Sequence, residues 1–366
     1  MTEDISRSIH VLRFPLAVMV VFIHSFGMGK IDCSNAELCS SLTSYDVYNY
    51  IRIYISNIVC QVAVPLFFFI SGYLFYQKLS VWNWDIWKNK MRSRFWTLLV
   101  PYLIWNIIRL LFNNFLLNEN ITFNGSHIWW HYLWVDSGYI NWKGTLISLS
   151  APLHIPFWFI RNLIVIIFFT PLIYIIIKSR LNKIYMLLLL VAYISSIFPT
   201  MPGVCSRSLF FFSLGAWCSI SHIDYLSKIG KYVPIFIVMS FFTSFILLMK
   251  HESAFIGSIV LPLFVLCFMA VCLVLSAKRY KFLSLCRLNI FETNTFFIFA
   301  FHSFVLVLLY RFIEFNSLLN EINVVNSFGL IGLYFLYPLI AIFISVLLSE
   351  LLKRYFPFVY KLLAGK

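Results

Sequence analysis

Long apolar runs separated by short polar segments dominate the pattern along this chain. A helix needs about 20 predominantly apolar residues to cross the hydrocarbon core of a bilayer. The runs lack the strict alternation expected of barrel strands. We therefore predict an all-α integral membrane fold of about ten transmembrane helices in one bundle. The predicted spans are 9–28, 53–77, 95–117, 156–177, 184–199, 204–221, 232–249, 254–276, 291–312 and 328–352.

The basic residues between the apolar runs predict the orientation of the helices. Clusters of lysine and arginine occur in the polar segments 78–94, 178–183 and 278–287 and in the tail 353–366. The segments that alternate with them carry few cations. Basic loops lie on the cytoplasmic side of a membrane, and an even number of spans puts both ends on one side. Both termini are thus predicted to be cytoplasmic.

The composition agrees with a membrane protein. Of 366 residues, 61% are hydrophobic and only 11% are charged, whereas soluble domains carry about 25% charged residues. The net charge of +14 would suggest nucleic acid in a soluble chain. Here the cations lie between apolar runs and act as a topology signal. We therefore expect membrane lipids as partners and no nucleic acid.

The stretch "RFPLAVMVVFIH" in the first span has an ionisable residue at each end. Arg13 and His24 are eleven residues apart, which is three helical turns plus about 20°, so they share one stripe about 16 Å long. An ionisable side chain deep in a bilayer costs about 2.5–3.5 kcal/mol and normally faces a bundle interior or a wet cavity. The stripe predicts a lined path inward from the cytoplasm. A snorkelling Arg13 and a hydrogen-bonded core His24 are the structural alternatives.

Three further residues are candidates for binding or positioning a substrate. His302 is a second intramembrane histidine, and either interhelical hydrogen bonding or substrate positioning explains it. Trp158 and Arg161 are three residues apart, so they can lie on one face of a helix. Together they can hold a planar or hydroxylated group by stacking and hydrogen bonding.

The cysteines show no metal-ligand spacing, so we expect no metal. Cys33 and Cys39 lie together in the first predicted outer loop. A disulfide between them is possible if that side is an oxidising compartment, and free thiols are the alternative.

Six motifs in order resemble the bacterial membrane acyltransferase type 3 family, and the resemblance covers nearly the whole chain. The first is the arginine–ten residues–histidine spacing of Arg13 and His24. The others are "VPLFFFISGYLFY" (64–76), "KMRSRFWTLLVPYLIWN" (90–106), "PFWFIRNL" (156–163), "FFFSLGAW" (210–217) and "NTFFIFAFH" (294–302).

The resemblance implies a multi-pass enzyme of the bacterial inner membrane that O-acylates a cell-surface or lipid-linked glycan. It implies acetyl-CoA, or another acyl-CoA, as the donor. Family members often carry an additional soluble esterase-like domain, and we expect residues 1–366 to form a single membrane domain without one. A periplasmic or oligomeric partner for acceptor choice stays open.

The sequence contains candidate residues for each role that this reaction needs. A hydroxyl needs a general base as it attacks a thioester, and histidine, with an ordinary pKa of roughly 6.5, can accept a proton. His24 is therefore the candidate base, and Arg13, further along the same path, is the second candidate catalytic residue. A cationic site for the donor phosphates is predicted at Lys88, Lys90, Arg92 and Arg94. Candidate oxyanion donors, from position only, are Ser71, Asn162 and His302.

Other functions also fit intramembrane charges. A polytopic transporter or glycan exporter without acyl transfer is the main alternative, although we find no internal repeat. A non-catalytic subunit of glycan assembly and an acyltransferase that uses a charged donor such as succinyl-CoA are two more.

Overall fold

The computed structural model describes most of the chain. The described residues are 2–25, 43–77, 79, 82–117, 133–134, 139–142, 145–148, 152–195, 201–251, 253–285, 289–315 and 327–365. Cys33 and Cys39, for which both a disulfide and free thiols are open, lie outside these ranges.

Helices form most of the described chain, as predicted. In chain order they are α1 (Thr2–His24), α2 (Thr43–Arg52), α3 (Ala63–Tyr76), α4 (Trp84–Arg94), α5 (Val100–Leu116), α6 (Trp158–Phe168), α7 (Thr170–Lys178), α8 (Asn182–Ser195), α9 (Ser206–Ile220), α10 (Tyr225–Gly230), α11 (Val233–Met249), α12 (Ala254–Leu285), α13 (Asn289–Thr293), α14 (Thr295–Phe315), α15 (Ser327–Tyr355) and α16 (Pro357–Ala364).

Short irregular turns join some of these helices. A π-helical turn (Ile53–Ile58) and a 3-10 turn (Val59–Val62) connect α2 to α3. A second π-helical turn (Phe95–Leu99) connects α4 to α5, and a 3-10 turn (Ile155–Phe157) precedes α6.

One small hairpin departs from the all-α prediction. Strands β1 (Tyr139–Trp142) and β2 (Thr145–Ser148) pair antiparallel, with Tyr139 opposite Ser148. The hairpin lies between the third and fourth predicted spans, so the spanning segments themselves remain helical.

Several helices are long and apolar enough to cross a membrane. Among the described residues, five do so by length and composition, and α6 and α7 together make a sixth that bends by 62°. Shorter apolar helices are Val11–His24, Asn182–Ser195 and Val233–Met249. A multi-pass helical protein is therefore confirmed, while the number of ten spans and the cytoplasmic termini stay predictions. The five long segments are Val47–Tyr76, Trp84–Leu116, Ala254–Ala277, Thr295–Phe312 and Gly329–Tyr355.

The basic segment 78–94 was predicted as a loop, and this is wrong for most of its length. The Asn83 side chain accepts a hydrogen bond from the backbone N–H of Asp85 at 2.8 Å and so caps the start of α4. No glycine or proline interrupts residues 84–100. The helix therefore continues through the π-helical turn into α5 as one segment, Trp84–Leu116.

The chain folds into two compact units, each built from two stretches of sequence. Unit 1 comprises Met1–Phe67 and Asp224–Glu350, and unit 2 comprises Phe68–Ile223 and Leu351–Lys366. Neither unit is a contiguous piece of chain. The single domain of 1–366 stays a prediction.

In unit 1, α1 packs against α12 and α14. Val21 of α1 joins an apolar cluster with Ile298 and Val305 of α14 and with Tyr337 and Ala341 of α15. This packing holds the C-terminal half of α1, where His24 lies.

In unit 2, two glycines bring α3 and α9 into backbone contact. A Cβ atom added at Gly72 would collide with the carbonyl of Phe212, and one added at Gly215 would collide with the carbonyl of Phe69. Helices in membranes associate closely through such small residues. The motifs "VPLFFFISGYLFY" and "FFFSLGAW" thus pack against each other.

The bend between α6 and α7 is closed by hydrogen bonds. Thr170 Oγ1 donates to the Ile167 carbonyl at 2.6 Å and accepts from Trp87 Nε1 at 3.1 Å. The Tyr76 hydroxyl donates to the Thr170 carbonyl at 2.7 Å. Side chains must satisfy backbone groups that a break frees at membrane depth, and here they do.

Candidate functional site

The two intramembrane histidines of unit 1 lie against each other. The ring centroids of His24 and His302 are 5.2 Å apart. Ten residues earlier on α1, Phe14 contacts Phe291 of α13, also at 5.2 Å. Two contacts spaced alike on both segments show that α1 runs parallel to α13 and α14 over about 15 Å. The sequence pattern identified both histidines as candidates but did not predict the contact between them.

His302 is held in one orientation. Its side chain is fully buried, and Nδ1 lies 3.0 Å from the carbonyl oxygen of Ile298, four residues earlier in α14. Its other nitrogen, Nε2, is buried and has no hydrogen-bond partner within the described ranges.

His24 is the more accessible of the pair. It is the last residue of α1, and its side chain is partly exposed, whereas His302 is buried completely. Ser25, directly after it, donates to the Val21 carbonyl at 2.8 Å. This bond closes the last turn of α1, and His24 is the one of the two histidines whose side chain has exposed surface.

The predicted wet path from Arg13 to His24 is wrong for this face of α1. Leu16, Ala17 and Val20 lie on the same stripe between them, and they are at most 2% exposed. Packed side chains therefore close the stripe, since periodicity shows which residues share a face but not what covers it. The Arg13 side chain is exposed, and its catalytic role stays a prediction.

A pair of hydroxyl groups holds the end of α1, and the sequence analysis missed it. Ser56 Oγ donates to the Phe22 carbonyl at 2.6 Å and lies 2.7 Å from the Tyr334 hydroxyl. Ser56 belongs to the π-helical turn Ile53–Ile58, and such turns occur frequently at functional sites. A serine within the apolar run "YISNIVC" was the available signal.

A buried arginine lies near these hydroxyls. Arg52 is 8% exposed, its guanidinium lies 5.6 Å from the centroid of the Tyr48 ring, and it donates to Asn49 Oδ1 at 3.0 Å. The Tyr48 ring in turn contacts Tyr334 at 6.5 Å. This part of unit 1 therefore combines polar and aromatic groups next to α1.

The four predicted donor-binding cations of unit 2 differ in what they do. Lys90 donates to the Phe75 carbonyl and lies over the Phe75 ring, so it caps the C-terminal end of α3. Lys88 pairs with Asp85 at 3.9 Å, with both side chains at least 70% exposed. Exposed pairs of this kind contribute about 0–1 kcal/mol.

Arg92 and Arg94 line a cavity of about 330 Å³. The rest of its wall is apolar and comes from the π-helical turn Phe95–Leu99 and from Ile164, Ile167 and Phe168 of α6. Arg92 is exposed and Arg94 is half-buried. Two cations beside an apolar cavity suit a ligand with an anionic group and an apolar part.

Arg161 and Trp158 of α6 contact different aromatic rings. Arg161 is 1% exposed, donates to the Trp134 carbonyl, and its guanidinium lies 5.8 Å from the centroid of the Trp134 ring. The guanidinium also donates to Asn162 Oδ1 at 3.3–3.4 Å. The Trp158 ring instead contacts Phe68 at 6.3 Å. Arg161 thus joins α6 to the segment at Trp134, and substrate contact by either residue stays a prediction.

Of the candidate oxyanion donors, Ser71 and Asn162 belong to unit 2 and His302 belongs to unit 1. Asn162 binds Arg161 and donates to Cys205 Sγ at 3.4 Å, and Ser71 lies half-buried in α3. No three His, Cys, Asp or Glu side chains of the described chain converge as a metal site. The expectation that no metal takes part stays a prediction.

Comparison with known proteins places the chain in a functional context. A family model described as an acyltransferase domain matches residues 6–350. The succinoglycan biosynthesis protein ExoH of Rhizobium meliloti (strain 1021) is 25% identical over 229 residues, which are 61% of this chain and 56% of that protein. The chain thus spans little more than half the length of this relative. No solved structure matches it.

Proposed function

The chain belongs to the acyltransferase family whose domain model it matches, and we propose that it is a membrane-embedded O-acyltransferase. It moves an acetyl or similar acyl group from a cytosolic acyl-CoA to a hydroxyl of a cell-surface or lipid-linked glycan. The site of action is the bacterial inner membrane. The similarity to a protein of succinoglycan biosynthesis supports a glycan acceptor.

The observation that carries the proposal is the histidine pair at the end of α1. His24 is partly exposed and contacts the buried His302, so one imidazole is available to substrate and the second supports it from behind. A positioned base whose orientation is fixed by another group is the recurring arrangement of acyl-transfer sites.

The chemistry assigned to His24 is proton transfer. His24 takes the proton of the acceptor hydroxyl as the oxygen attacks the thioester carbonyl and the new C–O bond forms. The C–S bond then breaks, and the departing sulfur takes the proton from His24. The products are the O-acyl glycan and CoA with a free thiol, and His24 returns to its starting state.

The donor is assigned to the cavity lined by Arg92 and Arg94. Guanidinium groups bind phosphates by paired, charge-assisted hydrogen bonds, and the apolar wall suits the pantetheine arm better than water. Lys90 is left out of this assignment because its ammonium already caps α3. Lys88 contributes at most through its exposed charge.

Transport is the alternative class, and the family match does not favour it. Purified protein in vesicles separates the two functions: acyl-CoA and a candidate glycan are added, and free CoA is measured over time. We expect CoA release that depends on the acceptor. Glycan flux across the vesicle without any CoA release would contradict the proposal and support an exporter.

A further inference from the structure

Nε2 of His302 is a buried polar atom next to the proposed base, His24. A buried hydrogen-bond acceptor that has no donor destabilises the fold. Nε2 of His302 has no partner within the described chain, and the residue is 0% exposed. A buried polar atom that has no hydrogen-bond partner and lies next to a candidate catalytic residue is itself a candidate for a role in the reaction.

The hydrogen bond at the other end of the ring determines which nitrogen carries the proton. Nδ1 lies 3.0 Å from the Ile298 carbonyl oxygen, and a carbonyl oxygen can only accept. In neutral His302 the hydrogen is therefore on Nδ1, and Nε2 carries a free lone pair. His302 can accept one hydrogen bond at Nε2, and it cannot donate one there.

The donor that can reach this lone pair is His24. At a centroid separation of 5.2 Å, two imidazole nitrogens that face each other can lie within hydrogen-bond range, about 2.6–3.2 Å. The terminal torsion of histidine is broad, so the partly exposed His24 ring can turn toward Nε2 while His302 keeps its contact with the Ile298 carbonyl. Hydrogen bonds between catalytic groups are often long in the absence of substrate, and they shorten when substrate binds.

We propose that His302 is the positioning residue of His24. Its Nε2 accepts a hydrogen bond from one N–H of His24, so the other nitrogen of His24 keeps its lone pair and faces the acceptor hydroxyl. When His24 takes the hydroxyl proton, the same bond stabilises the imidazolium until the departing CoA sulfur receives that proton. This inference rests on the proposed function and assigns His302 to the base, not to the glycan as the sequence suggested.

Burial decides between these two roles for His302. A side chain with no exposed surface cannot touch a glycan unless α14 moves, whereas it already touches His24. A positioning role also predicts a distinct kinetic signature. It changes the rate of the chemical step and leaves the binding of both substrates alone.

The test compares His302→Leu, which lacks the acceptor, with His302→Gln, whose amide oxygen can replace it. The substitution Phe301→Leu, on the neighbouring residue of α14, controls for packing. We expect His302→Leu to lower kcat about 10–100-fold, the loss typical of one hydrogen bond to a charged group, with KM unchanged for donor and acceptor. His302→Gln should recover part of kcat, and Phe301→Leu should resemble the parent protein.

The outcomes separate this inference from the proposed function. An unchanged kcat in His302→Leu, beside an inactive His24→Ala, overturns the positioning role and leaves the acyltransferase intact. A raised acceptor KM with unchanged kcat overturns it in favour of glycan contact. Absence of acceptor-dependent CoA release from the parent protein overturns the function itself.

A second measurement does not require the variants to be active. Nitrogen-15 spectra of histidine-labelled parent protein should show His302 as the Nδ1–H tautomer. His302→Gln should leave the His24 signals near their parent positions, because its amide still accepts. A His302 signal of the Nε2–H tautomer would contradict the proposal, since that nitrogen could then accept nothing.

Discussion

Removal of the Ser56 hydroxyl should loosen the end of α1 that carries His24. Ser56 has a single hydrogen, and it points to the Phe22 carbonyl at 2.6 Å, so Tyr334 must be the donor in the 2.7 Å contact with Ser56 Oγ. Ser56→Ala therefore deletes two hydrogen bonds, and the Phe22 carbonyl keeps only its 3.3 Å bond from the Ser25 N–H. At about 0.5–1.5 kcal/mol each, the free energy of unfolding should fall by about 1–3 kcal/mol.

Tyr334→Phe removes one of these two bonds and should cost about half as much. The double variant Ser56→Ala/Tyr334→Phe should be less destabilised than the sum of the single variants. The expected difference is about 0.6 kcal/mol, the average found for hydrogen bonds between membrane helices. Because the Phe22 carbonyl is two residues from His24, Ser56→Ala should also lower kcat.

Reversible denaturant unfolding in detergent, with turnover measured on the same samples, provides the assay. Ser258→Ala is the matched control, since Ser258 is exposed and bonds only within α12, to the Phe255 carbonyl at 2.8 Å. It should change stability by less than about 0.5 kcal/mol. Equal stabilities for Ser56→Ala and Ser258→Ala, or strict additivity with Tyr334→Phe, would refute the reasoning.

Two further comparisons test the packing and the donor site. Gly72→Ala should lower the free energy of unfolding by about 1–3 kcal/mol, because the added Cβ meets the Phe212 carbonyl. The control Gly332→Ala, which has open space around it, should be neutral or stabilising. Unfolding midpoints test this, and equal midpoints for the two variants would contradict the close contact. Lys90→Met should lower stability without changing the donor KM, because Lys90 caps α3. Arg94→Gln should raise the donor KM several-fold, because Arg94 lines the cavity assigned to the donor. A donor KM that changes in Lys90→Met but not in Arg94→Gln would contradict the assignment.

The features that repeat along the sequence were predictable. Apolar runs of about 20 residues identified the spanning helices because length and hydropathy alone determine whether a segment suits lipid. His24 and His302 stood out for the same reason, as ionisable groups in such runs. The bend at Phe169 was hidden, since it depends on side chains such as Tyr76 and Trp87 that come from other helices.

What the sequence could not supply were contacts between distant positions. The stripe from Arg13 to His24 is real, but the burial of Leu16 and Val20 depends on neighbouring helices that periodicity does not describe. The basic cluster predicted Lys90 as a ligand-binding cation, but its ammonium donates to the Phe75 carbonyl, which belongs to another helix. Pairing of His24 with His302 follows from the parallel course of α1 and α14, which no local pattern contains.

Turnover of His24→Ala tests the central claim most directly. Acceptor-dependent CoA release is measured on folded variant protein beside the parent protein, with unfolding midpoints to confirm that the fold survives. A general base contributes about 10²–10⁴-fold to the rate, so we expect kcat to fall by that factor. Folded His24→Ala that releases CoA at the parent rate would contradict the account.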